Sequence, residues 1–225
     1  AKSIDANYIA TGHYARVEHH LGQDSLMLRG VDNNKDQTYF LCQLNQSQLQ
    51  SSLFPIGELT KPEVRKLAED LNLPVAHKKD STGICFIGER DFREFLKNYI
   101  PAKNGHMVDI QTKQIVGEHQ GIMYYTIGQR KGLNIGGPGD AWFVVGKEYD
   151  ENILYVCQGD QNDWLMSEGA LITDVNWISS LRPEDDFTCT AKFRYRQKDN
   201  DVSVHFVDET TIYVTFKQPI KAVTP

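Results

Sequence analysis

The sequence predicts an α/β segment, a glycine-rich middle and an all-β end. Helical periodicity occurs only before about residue 105. Beyond that point apolar and polar residues alternate with a period of two over several short segments, which is typical of half-buried strands. The 225 residues are 40% hydrophobic and 24% charged. These fractions match globular proteins and exclude a disordered chain or a collagen-like repeat.

The α/β segment alternates short strands with signals for helix starts. Thr60 and Glu63 form a capping-box pattern with a proline in the first turn, so a helix is expected to run from there to about residue 71. An apolar run at residues 38–44 follows an acidic residue and predicts another helix start. The remaining predicted elements of this segment are strands at residues 6–10 and 25–30 and a helix at residues 90–99.

The all-β end follows a stretch of five glycines and a proline at residues 128–139. Its clearest alternation covers residues 187–196 and places five apolar residues on one face. Several short strands at such spacing suggest a small antiparallel barrel. The predicted strands are residues 142–147, 153–156, 171–177, 187–196, 202–206 and 212–216.

The overall charge limits the possible partners. With 24 basic and 30 acidic residues, the net charge of −6 argues against a broad basic face for non-specific duplex binding. Residues 192–198 nevertheless mix cations with aromatic rings. No segment approaches the roughly 20 apolar residues of a membrane helix, so no membrane association is expected. No signal peptide precedes the first strand, so we expect a cytoplasmic protein with reduced cysteines.

Cys85 has the most distinctive surroundings of the four cysteines. Gly83 and Gly88 flank it, and glycines let a loop bring its backbone close to a ligand. A thiol on such a loop can act as a nucleophile or sulfur carrier. The alternative is an inert, buried loop cysteine. Cys42 lies in an apolar run and is expected to be buried.

Two motifs of the α/β segment are candidate binding sites. Gly12 and His13 directly follow a predicted strand, where ligands bind in open α/β sheets. Lys35, Asp36 and Gln37 place a cation, an anion and an amide side by side, a set that can hold phosphates and base edges. The alternatives are an ordinary turn for the first motif and a solvated helix cap for the second.

Two basic segments of the later chain are also candidates. If residues 187–196 form one strand, Arg194 and Arg196 face solvent and Tyr195 faces the core. Arg130 and Lys131, in the glycine-rich stretch, can meet a nucleic-acid backbone. A solvated strand face and a flexible connector are the respective alternatives.

Taken together, these segments resemble the tRNA-specific 2-thiouridylases. The resemblance is carried, in order along the whole chain, by residues 9–15, 35–41, 54–57, 79–88, 125–133 and 194–197. It implies an enzyme that uses ATP, with Mg²⁺, to adenylate the C2 oxygen of the wobble uridine and replaces that oxygen with sulfur from a cysteine persulfide. The implied partners are the anticodon region of tRNA and a sulfur-relay donor protein.

The resemblance also implies roles for individual residues. Cys85 matches the cysteine that carries the persulfide and later forms a disulfide bond. Gly12 matches an ATP-binding glycine. The tRNA-contacting positions match His13, Lys35, Asp36, Gln37, Arg194 and Tyr195.

The fold implied by the resemblance has three parts. Residues 1–100 would be the C-terminal part of an adenine-nucleotide α-hydrolase-like (PP-loop) domain. Residues 101–165 would be a small central domain with the glycine-rich loop, and residues 166–225 a C-terminal antiparallel β-barrel.

The sequence departs from the family pattern in three respects. The nucleotide loop of the type S-G-G-x-D-S, a second catalytic cysteine and a final strand after residue 225 are not found. We therefore expect a C-terminal portion of the enzyme that is inactive alone. Two alternatives remain, a non-catalytic tRNA-binding module and an unrelated cysteine hydrolase built on Cys85 with His13 or His77.

Overall fold

A computed structural model describes residues 5–78, 95, 99–100, 102–184 and 186–224. These residues form two compact units, Ala1–Lys79 with Leu171–Val214 and Asp80–Ala170 with Thr215–Pro225. The three consecutive domains expected from the sequence stay a prediction. Cys85 and most of the predicted helix at residues 90–99 lie outside the described residues.

The first unit begins with small sheets and short helices. Strand β1 pairs in parallel with β4, and β2 pairs with β3 in antiparallel fashion, Ala15 opposite Arg29. The apolar run after Gln37 forms a 3-10 helix at Thr38–Leu41 in place of the longer helix expected, and helix α1 begins after the run, at Gln46. The elements are β1 Ile9–Ala10, β2 Ala15–Glu18, β3 Leu26–Arg29, α1 Gln46–Leu49, β4 Ser52–Leu53 and α2 Lys61–Asp70.

Helix α2 confirms its predicted start. The Glu63 side chain accepts a hydrogen bond from the Thr60 amide at 2.7 Å, and proline occupies the first turn. The Asp32 carboxylate also accepts from the Lys61 amide at 3.0 Å. The first turn of α2 is therefore capped both by its own sequence and by the segment that precedes residues 35–37.

The second unit holds a four-stranded sheet with the order β6-β5-β8-β7. Strands β5 and β8 are parallel, and the other neighbours are antiparallel. Met107, Val144, Leu154 and Val156 are fully buried on it and form the centre of its core. The strands are β5 Gly105–Asp109, β6 Ile115–His119, β7 Trp142–Glu148 and β8 Ile153–Gln158.

A second four-stranded sheet has the order β10-β11-β12-β9. Alternate residues of β11 and β12 are buried, among them Val202, Val204, Ile212 and Val214, as the period of two predicts. Its strands are β9 Met166–Ile172, β10 Phe187–Ala191, β11 Asn200–Phe206 and β12 Ile212–Lys221.

Two predicted strands of this sheet have different limits in the structure. The strand expected at residues 171–177 is centred earlier, in β9, because Asn162 caps a short 3-10 turn just before it. The strand expected at residues 187–196 ends at Ala191. Residues 193–196 form a turn instead, so Arg194 and Arg196 do not share a strand face.

Candidate nucleic-acid interface

Gln37 joins two of the predicted motifs in the first unit. Its side-chain oxygen accepts a hydrogen bond from the Tyr14 amide at 3.0 Å, and its own amide donates to the Tyr14 carbonyl at 2.9 Å. The Gln37 side chain and the Gln37 backbone amide thus bind the backbone amide and the carbonyl of Tyr14, respectively. Residues 11–14 and 35–37, which are separated in sequence, are held as neighbours.

His13 and Gly12 lie at the end of β1. The Thr11 hydroxyl and His13 Nδ1 are hydrogen-bonded at 2.9 Å, and the Phe54 ring meets the imidazole edge-on at 6.4 Å between centroids. These contacts orient the ring. A Cβ added at Gly12 would meet no atom within 4 Å, so the backbone there is open to approach.

Asp36 is directed into the protein. It is 8% exposed, and its two carboxylate oxygens accept from the Gly30 amide at 2.9 Å and the Thr38 hydroxyl at 2.8 Å. A Cβ at Gly30 would lie 2.7 Å from the Tyr14 carbonyl oxygen, so this close approach requires glycine. The carboxylate therefore ties β3 to the start of the 3-10 helix.

The 3-10 helix carries two aromatic residues to the turn at residues 193–196. The Phe40 and Tyr195 ring centroids are 4.6 Å apart, and those of Tyr39 and Tyr195 are 6.2 Å apart. The Tyr39 hydroxyl also donates to the Phe193 carbonyl at 3.4 Å. We call Tyr39, Phe40 and Tyr195 the aromatic cluster. Tyr195 thus packs against other rings on a partly exposed surface.

The turn itself is fixed by Gln197. Its side-chain oxygen accepts from the amides of Phe193 at 2.7 Å and Arg194 at 3.2 Å. Arg196 has a φ of 63°, a left-handed conformation that ends the strand pattern. Its guanidinium lies 5.3 Å from the centroid of the Tyr195 ring, within cation–π distance.

An ion pair connects the residues that follow this turn to strand β3. Arg29 and Asp199 form a bidentate pair with N–O distances of 2.7 and 2.8 Å, and Lys192 Nζ lies 3.9 Å from the same carboxylate. The hydrogen bond with Arg29 lowers the pKa of Asp199. The positive charges of Arg29 and Lys192 lower it further, whereas partial burial raises it. Residues 192–199 are therefore anchored to β3 through charge and to the 3-10 helix through aromatic rings.

The structure thus connects three of the predicted binding residues of the first unit, Asp36, Gln37 and Tyr195, and places Gly12 and His13 next to Tyr14, which Gln37 binds. Sequence reasoning missed Phe40, Arg29 and Asp199. Phe40 lies in the apolar run at residues 38–44, yet it is 56% exposed. Its ring partner Tyr195 is 155 positions away in the sequence, so no local signal could have indicated this contact.

Hydrogen bonds to strand β7 fix the start of the glycine-rich stretch in the second unit. The Gly128 amide donates to the Val144 carbonyl at 2.7 Å, and the Val144 amide donates to the Gln129 carbonyl at 3.1 Å. The Gln129 side chain accepts from the Thr126 amide and donates to the Lys131 carbonyl. Arg130 and Lys131 are exposed beside this anchor. The bonds favour a defined surface over a flexible connector.

The described thiols differ in exposure, and one of them contradicts its prediction. Cys42 is exposed, so the prediction of a buried residue is wrong. Its place is just after the 3-10 helix, where the chain turns at the surface. Cys157 is fully buried, and burial, with the nearby Asp109 charge, raises its pKa to about 11. Partial burial raises the pKa of Cys189 as well.

Cys157 is expected to resist alkylation in the folded protein. Near neutral pH about one molecule in ten thousand would carry a Cys157 thiolate at a pKa of about 11. Iodoacetamide followed by peptide mass spectrometry should label Cys42 in native buffer and Cys157 only in denaturant. Equal labelling rates of the two in native buffer would contradict this placement.

Comparison with known proteins identifies the parts of the chain. Residues 1–89 match the tRNA methyl transferase HUP domain, and residues 93–158 the tRNA methyl transferase PRC-barrel domain. Residues 167–225 match the aminomethyltransferase beta-barrel domain. These matches confirm the predicted fold class, an α/β nucleotide-binding-type segment followed by β domains.

Curated relatives match over the whole chain. The tRNA-specific 2-thiouridylase MnmA of Bacillus cytotoxicus is 57% identical over 225 residues, and those of Bacillus mycoides and Bacillus cereus are 56% identical. The chain spans 60% of the length of these relatives. The agreement of three consecutive domain matches with these identities shows the family. The chain belongs to the tRNA-specific 2-thiouridylase family.

Proposed function

We propose that this chain forms the tRNA-binding surface and supplies the sulfur-carrying cysteine, Cys85, of an enzyme that thiolates the wobble uridine of tRNA. The observation that carries the proposal is the network around Gln37, Asp36 and the aromatic cluster. It connects motifs from both ends of the sequence: Gln37 bonds to Tyr14, and the 3-10 helix that begins beside Asp36 packs Tyr39 and Phe40 against Tyr195. Separate structural roles would not require these motifs to meet.

The chemistry requires activation of the uridine and a nucleophilic sulfur. The C2 oxygen of uridine leaves poorly, and adenylation by ATP, with loss of pyrophosphate, converts it into a leaving group. The outer sulfur of a Cys85 persulfide then forms a bond to C2 while AMP departs. A second thiol attacks the inner sulfur, so that a disulfide forms and the thiocarbonyl remains on the base. A sulfur-relay donor protein would reload Cys85.

Roles within the described surface follow from geometry. His13 and Tyr195 offer rings at the surface, and Arg194 and Lys35 carry positive charge for phosphates. The Gln37 side chain and the Asp36 carboxylate are used within the protein, so we assign them to positioning these groups. At Gly12, the open backbone fits the approach of ATP, which with Mg²⁺ supplies the activating adenylyl group.

Electrostatics also support RNA binding by this surface. The chain has a net charge of −6, yet residues 192–198 contain four cations in seven residues. A local basic segment beside aromatic rings suits unpaired RNA, for which tRNA anticodon loops are an example. No helix among the described residues has the length and apolar character needed to cross a membrane. A cytoplasmic location stays a prediction.

Replacing both Arg194 and Arg196 by alanine is expected to weaken tRNA binding and to flatten its salt dependence. Each lost phosphate contact lowers the slope of log K against log salt by about 0.7 to 0.9. Alanine and arginine pay a similar cost at the left-handed φ of residue 196, so the turn itself is retained. Filter binding of tRNA at several salt concentrations measures the slope.

The matched control removes the same charge elsewhere in the unit. Arg65 and Lys66 are exposed on helix α2, where alanine is favourable. The Arg65→Ala/Lys66→Ala variant should keep the wild-type slope. If the Arg194/Arg196 variant also keeps that slope, this turn does not contact tRNA.

A further inference from the structure

The aromatic cluster leaves one of its rings open to solvent. Phe40 is 56% exposed, although it packs against Tyr195 at 4.6 Å and against Tyr39 at 5.5 Å. Its interplanar angle with Tyr195 is 49°, so the two rings form an open wedge rather than a closed stack. An apolar ring fixed in this way at the surface gives up hydrophobic free energy that burial would provide.

A cation lies over Tyr195, the ring that Phe40 contacts. Arg196 is exposed, its guanidinium lies over the Tyr195 ring, and Tyr195 contacts Phe40. The Gln197 hydrogen bonds hold the turn that presents it. Lys198, also exposed, follows two residues later. Tyr195 therefore connects Phe40 with Arg196, although Phe40 and Tyr195 are 155 positions apart in the sequence.

The combination selects one kind of occupant. An apolar side chain of a protein partner would use the ring but not the two exposed cations. A single-stranded nucleotide uses both, because its base stacks on an aromatic face and its phosphate pairs with a guanidinium. The aromatic cluster also adjoins the positioning residues, because the Asp36 carboxylate binds Thr38 at the start of the 3-10 helix that carries Tyr39 and Phe40.

We propose that Phe40 and Arg196 bind one unpaired nucleotide of the RNA, the base stacking on the free face of Phe40 and the phosphate pairing with Arg196. This inference rests on the proposed tRNA-binding function and adds a base-stacking position to it. Phe40 acts as a binding residue and takes no part in the sulfur chemistry. Tyr39 holds Phe40 in place through its edge-on contact and its bond to the Phe193 carbonyl.

The test uses RNA hairpins with the sequence of a tRNA anticodon stem-loop. Each hairpin carries 2-aminopurine, whose fluorescence is quenched by stacking, at one unpaired loop position. With the wild-type chain, quenching beyond that of the free RNA is expected at one position. Phe40→Leu should abolish it and weaken binding about fivefold to one hundred-fold, whereas Phe40→Trp should retain both.

Two comparisons keep the test decisive. Tyr213 is another exposed aromatic residue of the same unit, 45% exposed on strand β12, so Tyr213→Leu should leave affinity and quenching unchanged. Thermal melting of Phe40→Leu checks that it is folded, and retention by Phe40→Trp shows that an aromatic face is what matters.

The possible failures are distinguishable. If the wild-type chain binds no hairpin, the proposed tRNA-binding function of this surface is wrong. If it binds and Phe40→Leu keeps wild-type affinity and quenching, the RNA-binding function stands and the stacking role of Phe40 is wrong. Binding without quenching at any loop position in the wild type would also overturn the inference.

Discussion

Replacing Asp36 by alanine is expected to destabilise the protein by about 3 kcal/mol and to weaken tRNA binding at the same time. The carboxylate is 8% exposed and accepts hydrogen bonds from the Gly30 amide and the Thr38 hydroxyl. Alanine would remove both acceptors, and the two donors would be left in a site with little access to water. The 3-10 helix that carries Tyr39 and Phe40 begins at Thr38, so its anchorage would fail too.

The asparagine variant separates positioning from direct contact. Asp36→Asn keeps an oxygen for the Gly30 amide and places an amide group that can donate to the Thr38 hydroxyl. We expect it to lose about 1 kcal/mol or less and to bind tRNA nearly as well as the wild type. Chemical denaturation and tRNA binding, measured on the same preparations, give the two readouts.

A surface carboxylate of the same unit is the control. Asp208 lies in an exposed turn and accepts hydrogen bonds from the amides of Thr210 and Thr211, which lower its pKa. Asp208→Ala should destabilise the protein less than Asp36→Ala and leave tRNA binding unchanged. Strong loss of tRNA binding by a folded Asp36→Asn variant would show instead that the carboxylate itself contacts the RNA.

Local sequence signals explain which elements could be predicted. Helix α2 starts where Thr60 and Glu63 predict it, because a capping box needs only residues within one turn. The strands β11 and β12 follow their alternation for the same reason, and β7 and β8 lie at the apolar segments predicted as strands. Each of these signals is complete within a few residues.

Contacts between distant residues explain the wrong predictions. The alternation of residues 187–196 continues past Ala191, but the Gln197 side chain binds two backbone amides and forms a turn. The rings that receive Tyr195 come from Tyr39 and Phe40, at the other end of the sequence. No local pattern contains that pairing, so the motifs could be found one by one while their assembly could not.

The exposure of the cysteines likewise could not be predicted from local sequence. An apolar neighbourhood in sequence suggested a buried Cys42, yet the chain leaves the 3-10 helix at that residue and exposes it. Cys157 and Cys189 share a strand context, but one is fully buried and the other is exposed. Exposure of a thiol in a strand depends on which face of the sheet is covered by other elements, and tertiary packing decides this.

In the full-length protein, replacing Cys85 by serine is expected to abolish tRNA thiolation and to leave tRNA affinity within about twofold of the wild type. A serine hydroxyl has nearly the shape of the thiol but cannot hold a persulfide sulfur, since no sulfur–sulfur bond can form. In the proposed chemistry Cys85 carries the sulfur and is not among the residues assigned to tRNA binding, which is why affinity should persist. Mass spectrometry of the nucleosides measures 2-thiouridine, and filter binding measures affinity.

The other cysteines provide matched serine controls. Cys189→Ser should keep activity, because partial burial raises the pKa of that thiol and disfavours the nucleophilic thiolate. Cys42→Ser tests an exposed thiol whose backbone carbonyl accepts a hydrogen bond from the Asn176 side chain, a contact that the substitution leaves intact. A persulfide on Cys85 would add the mass of one sulfur atom to its tryptic peptide after treatment with a sulfur donor. If Cys85→Ser still forms 2-thiouridine, or if the added sulfur appears on Cys42 or Cys189 instead, then Cys85 is not the sulfur carrier and the motif at residues 82–88 has another role.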